Sequence, residues 1–292
     1  MKKEKIAIVV YGKGGVGKST ICAHLAACFS GQGRKVLLLG CDPKADSSLR
    51  LLGGVPAPTI VQMVSGEHKR DFRSLVVGSR SGVDVLETGG PEPGMGCGGR
   101  GVATLCLFLE EHAREVSGYD TLIFDVLGDL VCGGFVAPLR SGLGRDVYII
   151  SSEETASLFA ANNIVRVAAQ AYHQDVALGG IIFNLRQNDA RPEVLERFAG
   201  RVGIKVTAVL PRDPTILDAE ELGLTVFAHA PASAAAKRFE ALAKAVEGRK
   251  GAISGKETRP MSNEEFWAFV KENRVRRPGL DADQAMRAGK RV

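Results

Sequence analysis

The chain has 292 residues, and a hydrophobic content of 45% allows one large α/β domain or two small ones. Its formal charge of +5 arises in residues 249–292, which hold 11 Lys/Arg and 6 Asp/Glu, so the remaining 248 residues are balanced and argue against nucleic-acid binding. No apolar run approaches the ~20 residues of a membrane span, and the apolar run 6–10 is too short for a signal peptide. We therefore expect a cytoplasmic protein with neither membrane nor nucleic acid as a partner.

Apolar, β-branched segments alternate with helix-length patterns along the chain. Strands are predicted at residues 5–10, 35–40, 83–86, 121–125, 147–151, 179–184 and 206–211. Helices are predicted at about 19–31, 100–115, 153–171, 190–201, 215–222 and 233–247. The strands are continuous apolar runs, as expected for parallel strands covered on both faces, so the pattern predicts a doubly wound, mostly parallel α/β fold.

The composition changes near residues 248–255, where glycine and charged residues read as a linker. We therefore divide the chain into a body, residues 1–248, and a basic C-terminal tail, residues 249–292. Within the tail, Ser262 and Glu265 have the spacing of a capping box, which predicts a short helix.

The segment GKGGVGKS, residues 12–19, has the pattern of a phosphate-binding loop and lies between the first predicted strand and the first predicted helix. Backbone N–H groups of such a loop and the start of its helix suit phosphate oxygens, while Lys18 suits the β- and γ-phosphates and Ser19 suits Mg²⁺. The alternative is an ordinary glycine-rich turn. The predicted nucleotide-binding residues are Gly12, Gly14, Gly15, Val16, Gly17, Lys18, Ser19 and Thr20.

An additional lysine, Lys13, distinguishes this loop from ordinary phosphate-binding loops. The loop resembles the deviant Walker A variant of dimeric ATPases of the MinD, ParA and iron-protein type. In that variant the lysine reaches the nucleotide of the opposite subunit, so the resemblance implies a face-to-face homodimer and a catalytic role for Lys13.

Acidic residues follow two of the predicted strands. Asp42, Lys44 and Asp46 lie in a loop that we expect to face the γ-phosphate, with Asp42 orienting the attacking water and Asp46 holding Mg²⁺ through water. Asp125 ends an apolar strand and fits the Walker B position near Mg²⁺. Asp129 lies four residues later, in a loop that we expect to respond to the γ-phosphate.

Two cysteines, Cys97 and Cys132, are each followed by two glycines and a helix-like segment. Backbone N–H groups in such loops stabilise a thiolate and the sulfurs of an iron–sulfur cluster. Two thiols from each subunit of a two-fold homodimer would supply the four ligands of one [4Fe-4S] cluster. The alternative is a pair of reduced cysteines in glycine-rich loops. Core packing is expected for the other four cysteines, Cys22, Cys28, Cys41 and Cys106.

The motifs YGKGGVGKST, GCDPKADS, ETGGPEPGMGCGGRGV and DVLGDLVCGGF closely resemble the iron proteins of nitrogenase and of nitrogenase-like reductases, over about residues 5–248. The resemblance implies a homodimer that binds MgATP and one [4Fe-4S] cluster, held by Cys97 and Cys132 of both chains. Such a protein is an ATP-hydrolysing oxidoreductase component. It receives electrons from a low-potential donor such as ferredoxin or flavodoxin and passes them singly to a catalytic partner.

The same resemblance assigns further residues. It implies that Asn184, Pro211, Arg212 and Asp213 lie near the adenine. Arg100 matches the position at which some nitrogenase iron proteins are switched off by ADP-ribosylation, which makes it a candidate modification site.

Three functions remain open within this interpretation. Leu130 and Val136 beside Cys132, the compressed segment 48–83 and the tail depart from the nitrogenase pattern and favour a nitrogenase-like enzyme with another substrate, such as a methylthio-alkane (C–S bond) reductase. The first alternative is a true dinitrogenase reductase. The alternative from another class is a positioning ATPase of the MinD or ParA type, without a cluster.

Overall fold

A computed structural model describes residues 4–64, 71–90, 99–126, 137–144, 146–170, 176–188, 191–249 and 252–273. Cys97, Asp129 and Cys132 lie outside these residues, and so does the side chain of Arg100. None of the helices in the described ranges is long and apolar enough to cross a membrane.

One mixed sheet runs through the described part of the chain. Its strands are β1 (Ile6–Gly12), β2 (Val36–Gly40), β3 (Val77–Gly78), β4 (Val83–Glu87), β5 (Thr121–Asp125), β6 (Asp146–Ser151), β7 (Ala177–Asn184), β8 (Val206–Leu210) and β9 (Ile253–Ser254). The strand order is β3-β4-β2-β5-β1-β6-β7-β8, and β9 pairs with β7. All pairings are parallel except those of β3 and β9, so the predicted mostly parallel sheet is confirmed.

Helices connect the strands. They are α1 (Lys18–Gly31), α2 (Ile60–Val64), α3 (Phe72–Leu75), α4 (Gly99–Glu111), α5 (Ala113–Val116), α6 (Ala137–Arg140), α7 (Thr155–Ala169), α8 (Pro192–Val202), α9 (Pro214–Glu221), α10 (Val226–His229), α11 (Ala234–Glu247) and α12 (Asn263–Glu272). Every residue of β1, β2 and β6 is buried, which explains why these strands read as continuous apolar runs.

The seven strands predicted from the sequence are confirmed as β1, β2 and β4–β8, with ends that differ by no more than two residues. The helix predicted at 100–115 is instead two helices, α4 and α5. The helical path breaks at His112, which has φ −108° and ψ 32° and whose ring contacts Phe72 and Phe108. The elements that the sequence did not predict, α2, α3, α6, α10, β3 and β9, have two to five residues and are too short to show a period.

The chain forms two compact units, Met1–Pro260 and Met261–Val292. The first unit contains the whole sheet. The second contains α12, which begins with the predicted capping box: Ser262 Oγ accepts a hydrogen bond from Glu265 N at 3.2 Å, and Glu265 Oε2 accepts one from Ser262 N at 2.8 Å. The division into a body and a tail at residue 248 stays a prediction.

The order of the strands places a crevice at their carboxyl ends. β2, β4 and β5 lie on one side of β1, and β6, β7 and β8 lie on the other. Strand order reverses at β1, and ligands of open α/β sheets bind outside the carboxyl ends at such a point. In register, Asp125 pairs with Val10 of β1 and with Gly40 of β2.

Candidate functional site

A cavity of about 430 Å³ lies at the carboxyl edge of the sheet, in the crevice beside β1. This volume is within the range of small-molecule sites. The cavity brings together most of the residues that the sequence predicted for nucleotide binding. Those that line it are Gly14, Gly15, Gly17, Lys18, Ser19, Thr20, Asp42, Lys44, Asp46, Asp125, Asn184, Pro211, Arg212 and Asp213.

The phosphate-binding loop has a shape that only glycine permits at two of its positions. Gly17 has φ +97°, and a side chain there would clash with the amide of Asn184. At Gly12 a side chain would clash with the carbonyl of Ile150 on β6. The glycines therefore allow the loop to turn tightly between β1 and α1.

The start of α1 provides donors for phosphate oxygens. Its N-cap is Gly17, which has no side chain to cap the N–H groups of the first turn. Lys18 is buried and donates from Nζ to the carbonyl of Lys13 at 3.2 Å. That bond holds the lysine over the loop, where it can neutralise phosphate charge.

Lys13 behaves differently from Lys18. Its carbonyl accepts hydrogen bonds from Lys18 Nζ and from Val16 N, at 3.2 Å each. Lys13 does not line the cavity formed by the described residues of its own chain, and neither do Gly12 and Val16. Reaching the nucleotide of a partner subunit stays a prediction for Lys13.

Asp125 lies at the floor of the cavity, with the Mg²⁺ candidate Ser19 and one residue that the sequence did not single out, Ser47. Ser47 Oγ donates to Asp125 Oδ2 at 2.7 Å, and Ser19 also hydrogen-bonds this carboxylate. Burial raises the pKa of Asp125, while the bonds from the two serines and the charge of Lys18 oppose that rise. These donors favour the charged carboxylate that Mg²⁺ binding requires.

The loop after β2 carries the acidic residues expected to face the γ-phosphate. Asp42 Oδ1 accepts a hydrogen bond from Lys44 N at 2.9 Å, and the Asp42 carbonyl accepts one from Ala45 N at 3.0 Å. Ala45 has φ +52°, a left-handed conformation that costs about 1–2 kcal/mol for a residue with a side chain. The loop is thus held in a strained turn beside the cavity.

The opposite side of the cavity is built by the end of β7 and the start of α9. Asn184 Nδ2 donates to the carbonyl of Val16 at 2.9 Å and so ties β7 to the phosphate-binding loop. Asp213 caps α9 by accepting from Thr215 N at 3.0 Å, and its other oxygen accepts from Arg238 at 3.0 Å. Proximity of Asn184 and of residues 211–213 to the adenine stays a prediction.

The structure adds cavity residues that no motif indicated. Arg186 donates to the carbonyl of Gly15, and the backbone N–H of Arg186 bonds to Glu153 at 3.0 and 3.1 Å. Arg50 and Glu220 form an ion pair, and both residues line the cavity. These contacts join residues that are far apart in the chain, so no local sequence pattern could have predicted them.

The four cysteines within the described ranges are free and buried: Cys22, Cys28, Cys41 and Cys106. Burial raises the pKa of Cys28 and of Cys106 to about 11 and raises the pKa of Cys22 and Cys41 further. Neutral buried thiols fit core packing, as predicted, and do not fit cluster ligation, which requires thiolates. No group of three or more His, Cys, Asp or Glu side chains in the described ranges could hold a metal ion.

The two cysteines left for a cluster are Cys97 and Cys132, both outside the described residues. Their flanks are described. Helix α4 begins at Gly99, two residues after Cys97, and Asp125 ends β5 seven residues before Cys132. A donor set of two thiols in each chain fits a cluster shared by two chains.

Comparison with known proteins agrees with these features. The model of the family described as "4Fe-4S iron sulfur cluster binding proteins, NifH/frxC family" matches residues 5–275. The chain is also 40% identical, over 268 residues, to Nitrogenase iron protein 2 of Methanothermobacter thermautotrophicus. That alignment covers 92% of this chain and 98% of the relative.

Among solved structures, MinD from Pyrococcus horikoshii in complex with Mg-ADP has a TM-score of 0.66 and 24% identity, covering 82% of this chain and 96% of that one. A ParA family ATPase from Chlorobium tepidum has a TM-score of 0.63 and 17% identity, covering 82% of this chain and 98% of that one. At these identities the likeness shows the fold alone, and it confirms the predicted P-loop α/β fold. On the family match and the 40% identity, the chain belongs to the NifH/frxC family of 4Fe-4S iron–sulfur cluster binding proteins.

Proposed function

We propose that this protein is the ATP-driven electron donor of a nitrogenase-like reductase, working as a homodimer with one [4Fe-4S] cluster between its subunits. The proposal rests chiefly on one observation. Asp125 lies in the nucleotide cavity, bonded to Ser19 and Ser47, and the chain continues from it to Cys132 in seven residues. A single short segment thus connects the nucleotide site with a cysteine in a family that binds iron–sulfur clusters.

The residues that line the cavity support the nucleotide half of the mechanism. When MgATP is bound, the phosphate-binding loop and Lys18 would hold the phosphates, and Ser19 and Asp125 would hold Mg²⁺, with Asp46 acting through water. Asp42 orients the attacking water, Lys44 faces the γ-phosphate, and Lys13 of each chain completes the site of its partner. Asn184 and residues 211–213 surround the adenine.

The redox half depends on Cys97 and Cys132. When bound by these residues of both chains, a [4Fe-4S] cluster supplies one electron at a time. Asp129 responds to the γ-phosphate and changes the position of the segment that ends at Cys132. ATP binding and partner binding then favour the same closed dimer, which couples hydrolysis to electron delivery. Ferredoxin or flavodoxin fits the role of the reducing partner.

There are two candidates for the catalytic partner. The residues beside Cys132 and the short segment 48–83 depart from the nitrogenase pattern and favour a C–S bond reductase. The 40% identity to a protein named as a nitrogenase iron protein favours the second candidate, a dinitrogenase reductase. Arg100 would be the site at which ADP-ribosylation blocks binding to either candidate partner.

The test is electron transfer to a purified catalytic component. The reduced dimer is mixed with each candidate component in a stopped-flow instrument, and cluster oxidation is followed by absorbance with MgATP or MgADP. We expect oxidation with MgATP only, and with one component only. A protein that hydrolyses ATP but has no cluster would instead be a positioning ATPase of the MinD or ParA type.

Asp129→Glu provides the internal control for coupling. We expect this variant to bind MgATP with unchanged affinity and to deliver no electrons, because the longer side chain misplaces the carboxylate that responds to the γ-phosphate. Unchanged electron delivery would remove Asp129 from the mechanism.

A further inference from the structure

The loop after β2, residues 41–48, which we call the nucleotide loop, contacts the end of β4 at two places. Glu87, the last residue of β4, is 1% exposed, and its Oε1 accepts a hydrogen bond from Ser48 N at 2.7 Å. Gly90 lies against Pro43: a methyl group on Gly90 would clash with Pro43 Cβ and lie 2.9 Å from its Cα. Both ends of the nucleotide loop therefore touch one short segment, residues 87–90.

The same segment contacts the start of α4. A methyl group on Gly101 would lie 3.0 Å from the carbonyl oxygen of Gly89 and 3.2 Å from Cγ2 of Thr88. Residues 91–98, which include Cys97, therefore connect two flanks that are in contact with each other. One of these flanks also contacts Pro43.

The contacts of Gly90 with Pro43 and of Gly101 with Gly89 are close, so a shift of one partner reaches the other. Interiors packed at crystal-like density transmit displacements from one neighbour to the next. Ala45, in the middle of the nucleotide loop, has a strained backbone with φ +52°, and strained residues are concentrated in segments that change conformation. We therefore expect a movement of Pro43 toward this contact to displace Gly90.

The carboxyl group of Glu87 also lies against the nucleotide loop. Among the described residues, its Oε2 has no hydrogen-bond partner, and Gly40 is the residue of β2 that pairs with it. The pKa of Glu87 is raised to about 7, chiefly by burial and also by the charges of Asp125 and Asp46, while hydrogen bonding from Ser48 opposes the rise. Near neutral pH this side chain is therefore partly protonated, so glutamine is a close substitute that keeps an acceptor for Ser48 N.

We propose that Gly90 and Glu87 are positioning residues that transmit movement of the nucleotide loop to the two flanks of Cys97. This is a second connection between nucleotide and cluster, separate from the one that runs from Asp125 to Cys132. Pro43 moves with the nucleotide loop when Asp42 and Asp46 engage a nucleotide, and Gly90 and Gly89 pass the shift to the start of α4. The inference rests on the proposed function in taking Cys97 as a cluster ligand.

The test uses Gly90→Ala in the full-length dimer purified without oxygen. The added methyl group forces Pro43 away and changes the contact without removing a ligand. Gly31→Ala in α1 is the matched control, because a methyl group there meets no atom within 4 Å. The readouts are iron content, MgATP affinity by calorimetry, and the rate at which an Fe(II) chelator removes iron with and without MgATP.

We expect Gly90→Ala to keep its iron and its MgATP affinity and to change the MgATP-dependent ratio of chelation rates by about five-fold or more. Gly31→Ala should match the unmodified protein. An unchanged ratio in Gly90→Ala overturns the inference. Absence of iron from the unmodified protein would instead overturn the proposed function, so the two failures are distinguishable.

Glu87 variants provide the second arm if Gly90→Ala does not fold. Glu87→Ala removes the acceptor for Ser48 N and should reduce the MgATP-dependent ratio of chelation rates. Glu87→Gln keeps an acceptor for Ser48 N, so the MgATP-dependent ratio of chelation rates should equal that of the unmodified protein. If both variants give the ratio of the unmodified protein, or if glutamine rescues nothing, Glu87 has no positioning role.

Discussion

Ser47 donates a hydrogen bond of 2.7 Å from Oγ to Oδ2 of Asp125, and both side chains are buried. This bond joins the loop after β2 to the end of β5, the two segments that were predicted separately to contact the γ-phosphate and Mg²⁺. Asp125 pairs in register with Gly40, so the two segments leave the sheet side by side. The bond therefore connects the two segments directly, beyond the end of the sheet.

Substitution Ser47→Ala should weaken both stability and Mg²⁺-dependent hydrolysis. It removes one donor from a buried carboxylate, which costs about 1–3 kcal/mol of unfolding free energy. Urea denaturation and the Mg²⁺ dependence of ATP hydrolysis measure the two effects. Ser117→Ala is the control: Ser117 is exposed, and its loss should change stability by no more than about 0.5 kcal/mol. Equal behaviour of the two variants would show that the Ser47 bond has no role.

Asn184→Ala should weaken nucleotide binding. The amide of Asn184 holds the carbonyl of Val16 at 2.9 Å and lines the cavity, so its loss frees the phosphate-binding loop on the β7 side. Loss of one such bond, worth about 1 kcal/mol, corresponds to an increase of about five-fold in the Kd for MgATP. Calorimetric titration measures it, with Gln187→Ala, an exposed neighbour, as the control. A Kd for Asn184→Ala that equals the Kd for Gln187→Ala would exclude Asn184 from the site.

His24 should make the protein less stable in mild acid. Its Nδ1 donates to the Thr20 carbonyl at 2.7 Å, and its Nε2 accepts from Val226 N at 3.0 Å, so the buried ring is neutral. Burial lowers its pKa from 6.5 to about 4. Between these values the unfolded chain binds a proton that the folded protein does not, so stability is complete above pH 6.5 and is lost as the pH falls toward 4, by on the order of 3 kcal/mol.

Urea denaturation at several pH values between 7.5 and 4 tests this dependence. His24→Asn lacks the titrating group, and its stability should fall less steeply over the same range, although it starts from a lower value. Parallel curves for the two proteins would mean that His24 is not the cause of the acid sensitivity.

Glu87 should make the protein less stable as the pH rises toward neutrality. Its pKa is raised from 4.5 to about 7, chiefly by burial, so its favourable contribution is complete below pH 4.5 and is lost as the pH rises to 7. Glu87→Gln does not titrate. The stability of this variant relative to the unmodified protein should therefore increase from pH 4.5 to pH 7.5, as measured by urea denaturation, and a difference independent of pH would contradict the burial of a titrating carboxyl.

The sequence predicted the parts of the site that are local in the chain. The strand ends and the phosphate-binding loop follow from runs of apolar residues and from glycine spacing, and Asp125 was placed because it ends such a run. Ser47, Glu87 and Arg186 were not predicted, because each acts through a partner 39 to 171 residues away. The register of β4, β2 and β5 brings Ser47 and Glu87 to their partners, and the pairing of β1 with β6 and of β6 with β7 brings Arg186 to Gly15.

The break in the helical path at His112 also could not be predicted from local sequence. Its sequence neighbourhood is a continuous helical pattern, and the change of backbone direction arises where the ring meets Phe72 across the fold. Tertiary contact overrides local propensity at this residue.

In the proposed dimer, Cys97 and Cys132 of both chains hold one cluster. Iron analysis and EPR of the dimer, purified without oxygen, test it most directly, with Cys97→Ala, Cys132→Ala and the buried-thiol control Cys22→Ala. We predict about four irons per two chains, an EPR signal on reduction, loss of both in the first two variants and retention of both in Cys22→Ala. A dimer that hydrolyses ATP without iron, or one that keeps its iron in Cys97→Ala or Cys132→Ala, would contradict this assignment of the cluster ligands.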